Sequence, residues 1–221
     1  MKSSEKVILA LDVDNFERAK YFVDLLYPQI KIFKVGIHLF TGCGPQVLEY
    51  IEKKGGEVFL DLKFFDIPNT VAQAVRQAVR LKVKMLTMHI LGDEEMIKAA
   101  ITAAEEEASL LKIKRPLLVG VTVLTSKETT SSDVLTLARL GVESGLDGVV
   151  CSAREVEFLK KEIKQQFLAV TPGIRPKEAV SNDQKRTATA KEAIAAGSDF
   201  LVIGRPILAA KDPLQAVKEL F

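Results

Sequence analysis

The chain has 221 residues, 48% of them hydrophobic and only 6% aromatic, with no Trp and a formal net charge of +2. That length suits one well-cored domain and is short for two, and an aliphatic core fits parallel strands covered by helices. The charge is too small to argue for nucleic acid or an anionic membrane as partner, so any anion must be held by a few placed residues. Residues 1–6 run straight into the first apolar segment without a signal-peptide core, and no stretch approaches a membrane span. A soluble, cytoplasmic protein is expected. The predicted strands are the short apolar runs 7–11, 32–35, 57–60, 85–88, 116–121, 148–151, 168–170 and 200–203, and each precedes a helical pattern. Asp14 followed by Glu17 predicts the start of the first helix, and Gly92-Asp93 predicts another start. After the third strand, Val71, Val75, Ala78 and Val79 form one apolar stripe, opposite Gln73, Arg76, Gln77 and Arg80. Eight βα units in a chain this short predict a closed (β/α)8 barrel, as a single catalytic domain over residues 1–221. A six- or seven-stranded open sheet of flavodoxin type is the fallback.

Most of the chemistry is concentrated in one segment, Asp61-Leu62-Lys63-Phe64-Phe65-Asp66-Ile67-Pro68-Asn69-Thr70. It follows the third strand, and strand alternation puts Asp61 and Lys63 on one face at the carboxyl end. Pro68 suits the first position of a new helix, with Asp66 placed to cap it. Parallel α/β folds put their reactive groups at such strand-loop-helix corners, although a surface ion pair would read the same way. The stretch from Thr171 to about Arg186 is too long for an ordinary connection. It contains Arg175, Gln184, Lys185 and Arg186, which suit anions, so it reads as an active-site lid. Gly204 and Arg205 follow the last strand, where barrels of this kind commonly bind phosphate through backbone N–H groups and a helix start. Gly204 permits close approach and Arg205 offers a fork of donors.

Other polar positions have two readings each. Asp12 falls at the barrel mouth, as a hydroxyl acceptor or as a helix cap. Lys34 interrupts an apolar strand, where a snorkelling side chain is the less attractive explanation because barrel strands are covered on both faces. Thr125, past the fifth strand, suits an amide edge or a turn. His38 and His89 read as structural residues. Thr41-Gly42-Cys43-Gly44-Pro45 lacks the Gly-Lys-Ser/Thr of a phosphate loop and reads as a turn before a helix. Cys43 and Cys151 lie outside any C-x-x-C and have no zinc-binding cluster around them.

Asp-x-Lys-x-x-Asp-Ile-Pro-Asn-Thr after a short apolar strand resembles the signature of the orotidine 5'-phosphate decarboxylase family. Further matches follow in the family's order: Leu9-Ala10-Leu11-Asp12, Lys34-Val35-Gly36, Val121-Thr122-Val123-Leu124-Thr125-Ser126, Thr171-Pro172-Gly173-Ile174-Arg175-Pro176, Asp183-Gln184-Lys185-Arg186 and Val202-Ile203-Gly204-Arg205-Pro206-Ile207. They span almost the whole chain. Phe65, often histidine in the family, and Ala188-Thr189-Ala190, often Met-Thr-Pro, depart from the pattern at positions without assigned chemistry.

The resemblance implies decarboxylation of orotidine 5'-monophosphate to uridine 5'-monophosphate with no cofactor and no metal. It implies a Lys34-Asp61-Lys63-Asp66 charge row, with Lys63 stabilising charge at C6 and then protonating it. Asp61 would crowd the substrate carboxylate, Asp12 would hold the ribose hydroxyls, and Lys34 would bind substrate as part of the row. Thr125 would meet the pyrimidine edge, and Arg205, Gln184 and Arg175 would grip the phosphate beside Gly204. The family functions as a homodimer in which Asp66 and Thr70, beside Ile67, reach the neighbouring site. Two rivals remain: a magnesium-dependent sugar-phosphate decarboxylase or aldolase on the same barrel, of 3-keto-gulonate-phosphate or hexulose-phosphate type, and an inactive phosphate-binding barrel. Ile67-Pro68-Asn69-Thr70 and the complete Asp183-Gln184-Lys185-Arg186 favour the pyrimidine enzyme.

Overall fold

Alternating apolar and amphipathic segments become eight parallel strands, each followed by helix. In the computed structural model, which describes residues 3–124, 129–176 and 187–220, strand β1 (Val7–Ala10) leads to α1 (Phe16–Leu26), then β2 (Ile32–Gly36), α2 (Ile37–Cys43), α3 (Gln46–Lys53), β3 (Glu57–Phe64) and α4 (Pro68–Arg80). The chain continues through β4 (Met85–His89), α5 (Asp93–Leu111), β5 (Leu117–Val121), α6 (Ser131–Glu143), β6 (Gly148–Val150) and α7 (Ala153–Glu162). It ends with β7 (Leu168–Thr171), α8 (Ala190–Ala195), β8 (Phe200–Ile203) and the short helices α9 (Arg205–Leu208) and α10 (Pro213–Lys218). Every strand pairs with its sequence neighbour, and β1 closes the barrel on β8 through Val7↔Leu201, Ile8↔Val202 and Leu9↔Ile203. The (β/α)8 expectation holds and the open-sheet fallback falls away.

Alternation along the strands sorts the core into two layers. Val7, Leu9, Phe33, Val35, Val58 and Leu60 face the helices, where they meet residues such as Val71, Val75, Ala78 and Val79 of α4. Ile8, Ile32, Phe59, Met85, Val119, Val170 and Phe200 face inward and form a separate apolar plug. A step of two residues keeps the same face. Moving that step toward the carboxyl ends leads from Ile8, Ile32, Phe59 and Met85 to Ala10, Lys34, Asp61 and Thr87. The plug therefore forms the floor on which the polar residues stand.

Three local expectations need correction. The first helix is capped by Asn15, whose side chain accepts from the Arg18 N–H at 2.9 Å, rather than by Asp14. Asp66 does not cap α4: Ile67 occupies the cap position, and the Asp66 Oδ1 accepts the N–H of Ile67 at 2.7 Å. The third strand runs on to Phe64, past the predicted end at residue 60, because an irregularity in its pairing lets it continue through the charged residues. Among the described residues no helix is long and apolar enough to cross a membrane.

Candidate active site

The carboxyl ends of the strands surround a cavity of about 400 Å³ lined by Asp12, Lys34, Asp61, Lys63, Arg175 and Arg205. Its remaining walls are mainly apolar, including Val121, Val123, Leu124, Pro172 and Val202, with Gly204 beside Arg205. Four cationic side chains face two carboxylates, so the cavity suits a ligand of high negative charge.

Lys34 is only 9% exposed. Its Nζ sits 3.3 Å from Asp12 Oδ1 and 3.3 Å from Asp61 Oδ2, which disposes of the snorkelling explanation. Gly36 leaves room for this arrangement: a Cβ there would stand 3.1 Å from Lys34 Nζ. On its other oxygen Asp61 accepts from Lys63 Nζ at 2.8 Å and from the Thr87 hydroxyl at 2.9 Å. Burial pushes the Asp61 carboxyl up, yet the ammonium groups of Lys34 and Lys63 and the two hydrogen bonds together hold it below its usual range. Asp61 is thus a buried carboxylate kept charged by its neighbours.

Asp61 and Lys63 do face the same cavity, but a regular strand is not the reason. Lys63 has φ +51°, in the left-handed region. For a residue with a Cβ this costs roughly 1–2 kcal/mol and persists only where the surroundings impose it. Pairing of β3 with β4 is regular at Phe59↔Met85 and Leu60↔Leu86 and resumes at Phe64↔Met88. The Lys63 N–H, released from the ladder, donates to the Thr87 Oγ1 at 2.9 Å.

At the other side of the cavity, Gly204 and Arg205 follow β8. The helix α9 that begins there is a single turn, so an anion would rely on the arginine and the backbone approach at Gly204 more than on a helix terminus. A Cβ at Gly204 would lie 3.4 Å from both Ala10 Cβ and Asp12 Oδ2. Arg175 stands at the foot of the long connection after β7. Its N–H donates to the Ala188 carbonyl at 2.9 Å and the Ala188 N–H donates to the Gly173 carbonyl at 3.3 Å, with a parallel bridge between Ile174 and Ala188. The connection is closed at its base.

The match to known proteins covers the whole of this framework. Residues 5–220 match the model of the orotidine 5'-phosphate decarboxylase / HUMPS family. The chain belongs to this family. An orotidine 5'-phosphate decarboxylase of Hydrogenovibrio crunogenus is 49% identical over 226 residues, covering 97% of this chain and 94% of the relative. One from Trichlorobacter lovleyi is 46% identical, covering 98% and 94%. The crystal structure of orotidine 5'-phosphate decarboxylase from Lactobacillus acidophilus superposes with a TM-score of 0.85 at 36% identity, covering 98% of this chain and 97% of that one.

Measured against the family signature, the chain gathers Asp12, Lys34, Asp61, Lys63, Arg175, Gly204 and Arg205 around a single cavity. Asp66, Ile67 and Thr70 stay outside it on the exposed rim; Asp66 and Ile67 line a separate recess with Phe65, Pro68, Gly92, Asp93 and Glu95. The charge row is therefore three residues long within one chain. Thr125, Gln184, Lys185 and Arg186 lie outside the described residues. Phe65, one of the departures from the family pattern, places its ring 5.7 Å from that of His89. His38 is exposed, 4.0 Å from Asp14. Both cysteines are free, and burial pushes the Cys151 thiol up. Among the described residues no three His, Cys, Asp or Glu side chains are grouped to hold a metal ion. Sequence reasoning missed Thr87. A lone hydroxyl inside the apolar run Met85-Leu86-Thr87-Met88, two residues beyond the plug, was the available signal.

Proposed function

We propose that this chain is a decarboxylase of orotidine 5'-monophosphate, one catalytic domain spanning residues 1–221 that yields uridine 5'-monophosphate without a cofactor. The observation that carries this reading is the ion-paired row Lys34–Asp61–Lys63 on the floor of a cavity that also contains Arg175 and Arg205. Both carboxylates facing that cavity are engaged by the Lys34 ammonium, which favours charge stabilisation by the chain itself over the metal-bound enediolate of the sugar-phosphate rival.

In this mechanism the phosphate rests on Arg205, Arg175, Gln184 and the backbone at Gly204, and the ribose hydroxyls meet Asp12 and Lys34. Thr125 faces the pyrimidine amide edge. The substrate carboxylate on C6 then lies against Asp61, whose like charge disfavours the bound ground state. The bond from C6 to the carboxylate carbon breaks, carbon dioxide leaves, and the electron pair remains on C6 in the plane of the ring. No adjacent carbonyl can delocalise that pair, so a fixed ammonium is the available stabiliser. Lys63 Nζ supplies the charge and then its proton to C6, and solvent reprotonates the lysine.

The same reading has the enzyme act as a cytoplasmic homodimer in which Asp66 and Thr70, flanking Ile67, complete the neighbouring subunit's site. Supporting this, all three are exposed on the rim, and the large apolar side chains Phe65 and Ile67 are 59% and 66% exposed beside them. Mixed dimers provide the test. Lys63→Ala and Asp66→Ala should each be inactive alone, while co-refolding them should restore about a quarter of wild-type activity, since half of randomly formed dimers are mixed and each has one intact site. No recovery in mixed dimers verified by mass would confine each site to one chain.

Turnover of orotidine 5'-monophosphate, followed by its absorbance change, is the direct test of the activity. It should proceed unchanged in excess chelator. Loss of activity in chelator with recovery on magnesium would move the chain to the sugar-phosphate branch. A folded protein that binds the nucleotide but does not turn it over would be the inactive phosphate-binding barrel.

A further inference from the structure

Between its two regular pairs, β3 and β4 are mismatched. Leu60 faces Leu86 and Phe64 faces Met88, so Asp61, Leu62 and Lys63 on one strand oppose Thr87 alone on the other. An excess of residues on one strand is a bulge, a device that re-aims side chains at the cost of ladder hydrogen bonds. Here the bulge includes Lys63 in its left-handed conformation. Something must hold that conformation and satisfy the N–H it releases.

Thr87 does both with one oxygen atom. Its side chain is inside the barrel, the residue is 1% exposed, and it is not part of the cavity wall. The amide N–H of Lys63 can only donate and the ionised Asp61 carboxylate can only accept, so the direction of the chain is forced: Lys63 N–H to Thr87 Oγ1, Thr87 O–H to Asp61 Oδ1. The same Asp61 oxygen accepts from the Lys63 ammonium. The side chain of Lys63 is thereby tied to the carboxylate directly, and its backbone through the one hydroxyl. Valine would fill the same space, satisfy neither partner, and leave a buried N–H and a carboxylate oxygen short of a donor.

We propose that Thr87 is a positioning residue for the decarboxylation, its buried hydroxyl holding the β3 bulge in the turn that aims Lys63 into the cavity and fixing Asp61 beside it. This rests on the role assigned above to Lys63. Thr87 does not touch the substrate, so its removal acts on the geometry of the reacting groups and leaves the phosphate and ribose contacts in place. The effect belongs to kcat far more than to KM.

The test compares Thr87→Val, Thr87→Ser and wild type with orotidine 5'-monophosphate, alongside Lys63→Ala. Displacing a reacting group by about 1 Å commonly costs about a hundredfold in rate. Thr87→Val should lose about that factor in kcat with KM changed by less than about threefold, and Thr87→Ser, which keeps the hydroxyl, should stay within about threefold of wild type. Full kcat in folded Thr87→Val would overturn the proposal. So would a loss confined to KM, or a loss in Thr87→Ser equal to that in Thr87→Val, since the methyl packing would then be what matters. If Thr87→Val does not fold, Thr87→Ala takes its place under the same criteria; failure of both to fold would make the hydroxyl a requirement of the barrel and overturn its assignment to catalysis. The Lys63 reading fails separately, by an active Lys63→Ala or by a wild type that does not turn the nucleotide over.

Discussion

Lys63→Ala is expected to eliminate turnover of orotidine 5'-monophosphate and leave the barrel folded. Two separate jobs fall on this ammonium. In the proposed mechanism it is the positive charge nearest to the carbon on which negative charge develops, and the source of the proton that carbon finally takes. Lys34 cannot replace it, because its Nζ is committed between Asp12 and Asp61 at 3.3 Å from each. The fold should survive because Asp61 keeps Lys34 and the Thr87 hydroxyl as partners once Lys63 is cut back. Steady-state assay and a thermal unfolding curve measure the two halves of the claim. A variant retaining more than about a hundredth of wild-type kcat, a loss under ~3 kcal/mol, would remove Lys63 from the role.

Arg205→Ala should reduce kcat/KM by several kcal/mol on the nucleotide, on the order of a thousandfold, and barely change the slow turnover of the nucleoside orotidine. The phosphate is remote from the bond that breaks. In the proposed mechanism its binding energy accelerates the reaction only by holding the ring against Lys63 and keeping water from the charged row. A charged, fork-shaped contact of this kind is among the stronger single interactions a protein makes, and it is retained in the transition state. The nucleoside has no phosphate for Arg205 to hold, so it reports whether the arginine acts through the ligand or through the fold. Equal losses on nucleotide and nucleoside would assign Arg205 to structure.

Much of this was legible in the residues because the barrel repeats one rule. Short apolar runs mark strands, and alternation along them puts Asp61 on the face of Phe59, which the structure shows to be the inner one. The same counting from Ile32 finds Lys34 and from Ile8 finds Asp12. It fails where the backbone leaves the rule. Lys63 reaches the cavity through a left-handed residue inside a bulge, which simple alternation does not describe even though it predicts the correct face. Asp66 looked like a helix cap because an acid ahead of proline often is one; the chain instead gives the position to Ile67, and Asp66 bonds to its own neighbour. Asp14 lost the first helix to Asn15 by one residue, a scale on which several capping side chains compete with similar energies. Thr87 was hidden because a buried threonine in a strand is ordinary. Only the partners of its hydroxyl distinguish it.

The bridge between Ile174 and Ala188 brings together the two ends of the excursion after β7 using backbone contacts alone. The entropy of joining those ends is already met, and lengthening a closed loop adds a cost that grows only with the logarithm of its length, about 0.6 kcal/mol per doubling. Insertions, deletions and exchanges between the two feet therefore leave the eight strands undisturbed. Over evolutionary time this is where a barrel of this kind can vary most cheaply, while Asp61 and Lys63, tied to each other and to Thr87 within the β3 bulge, admit almost no such freedom.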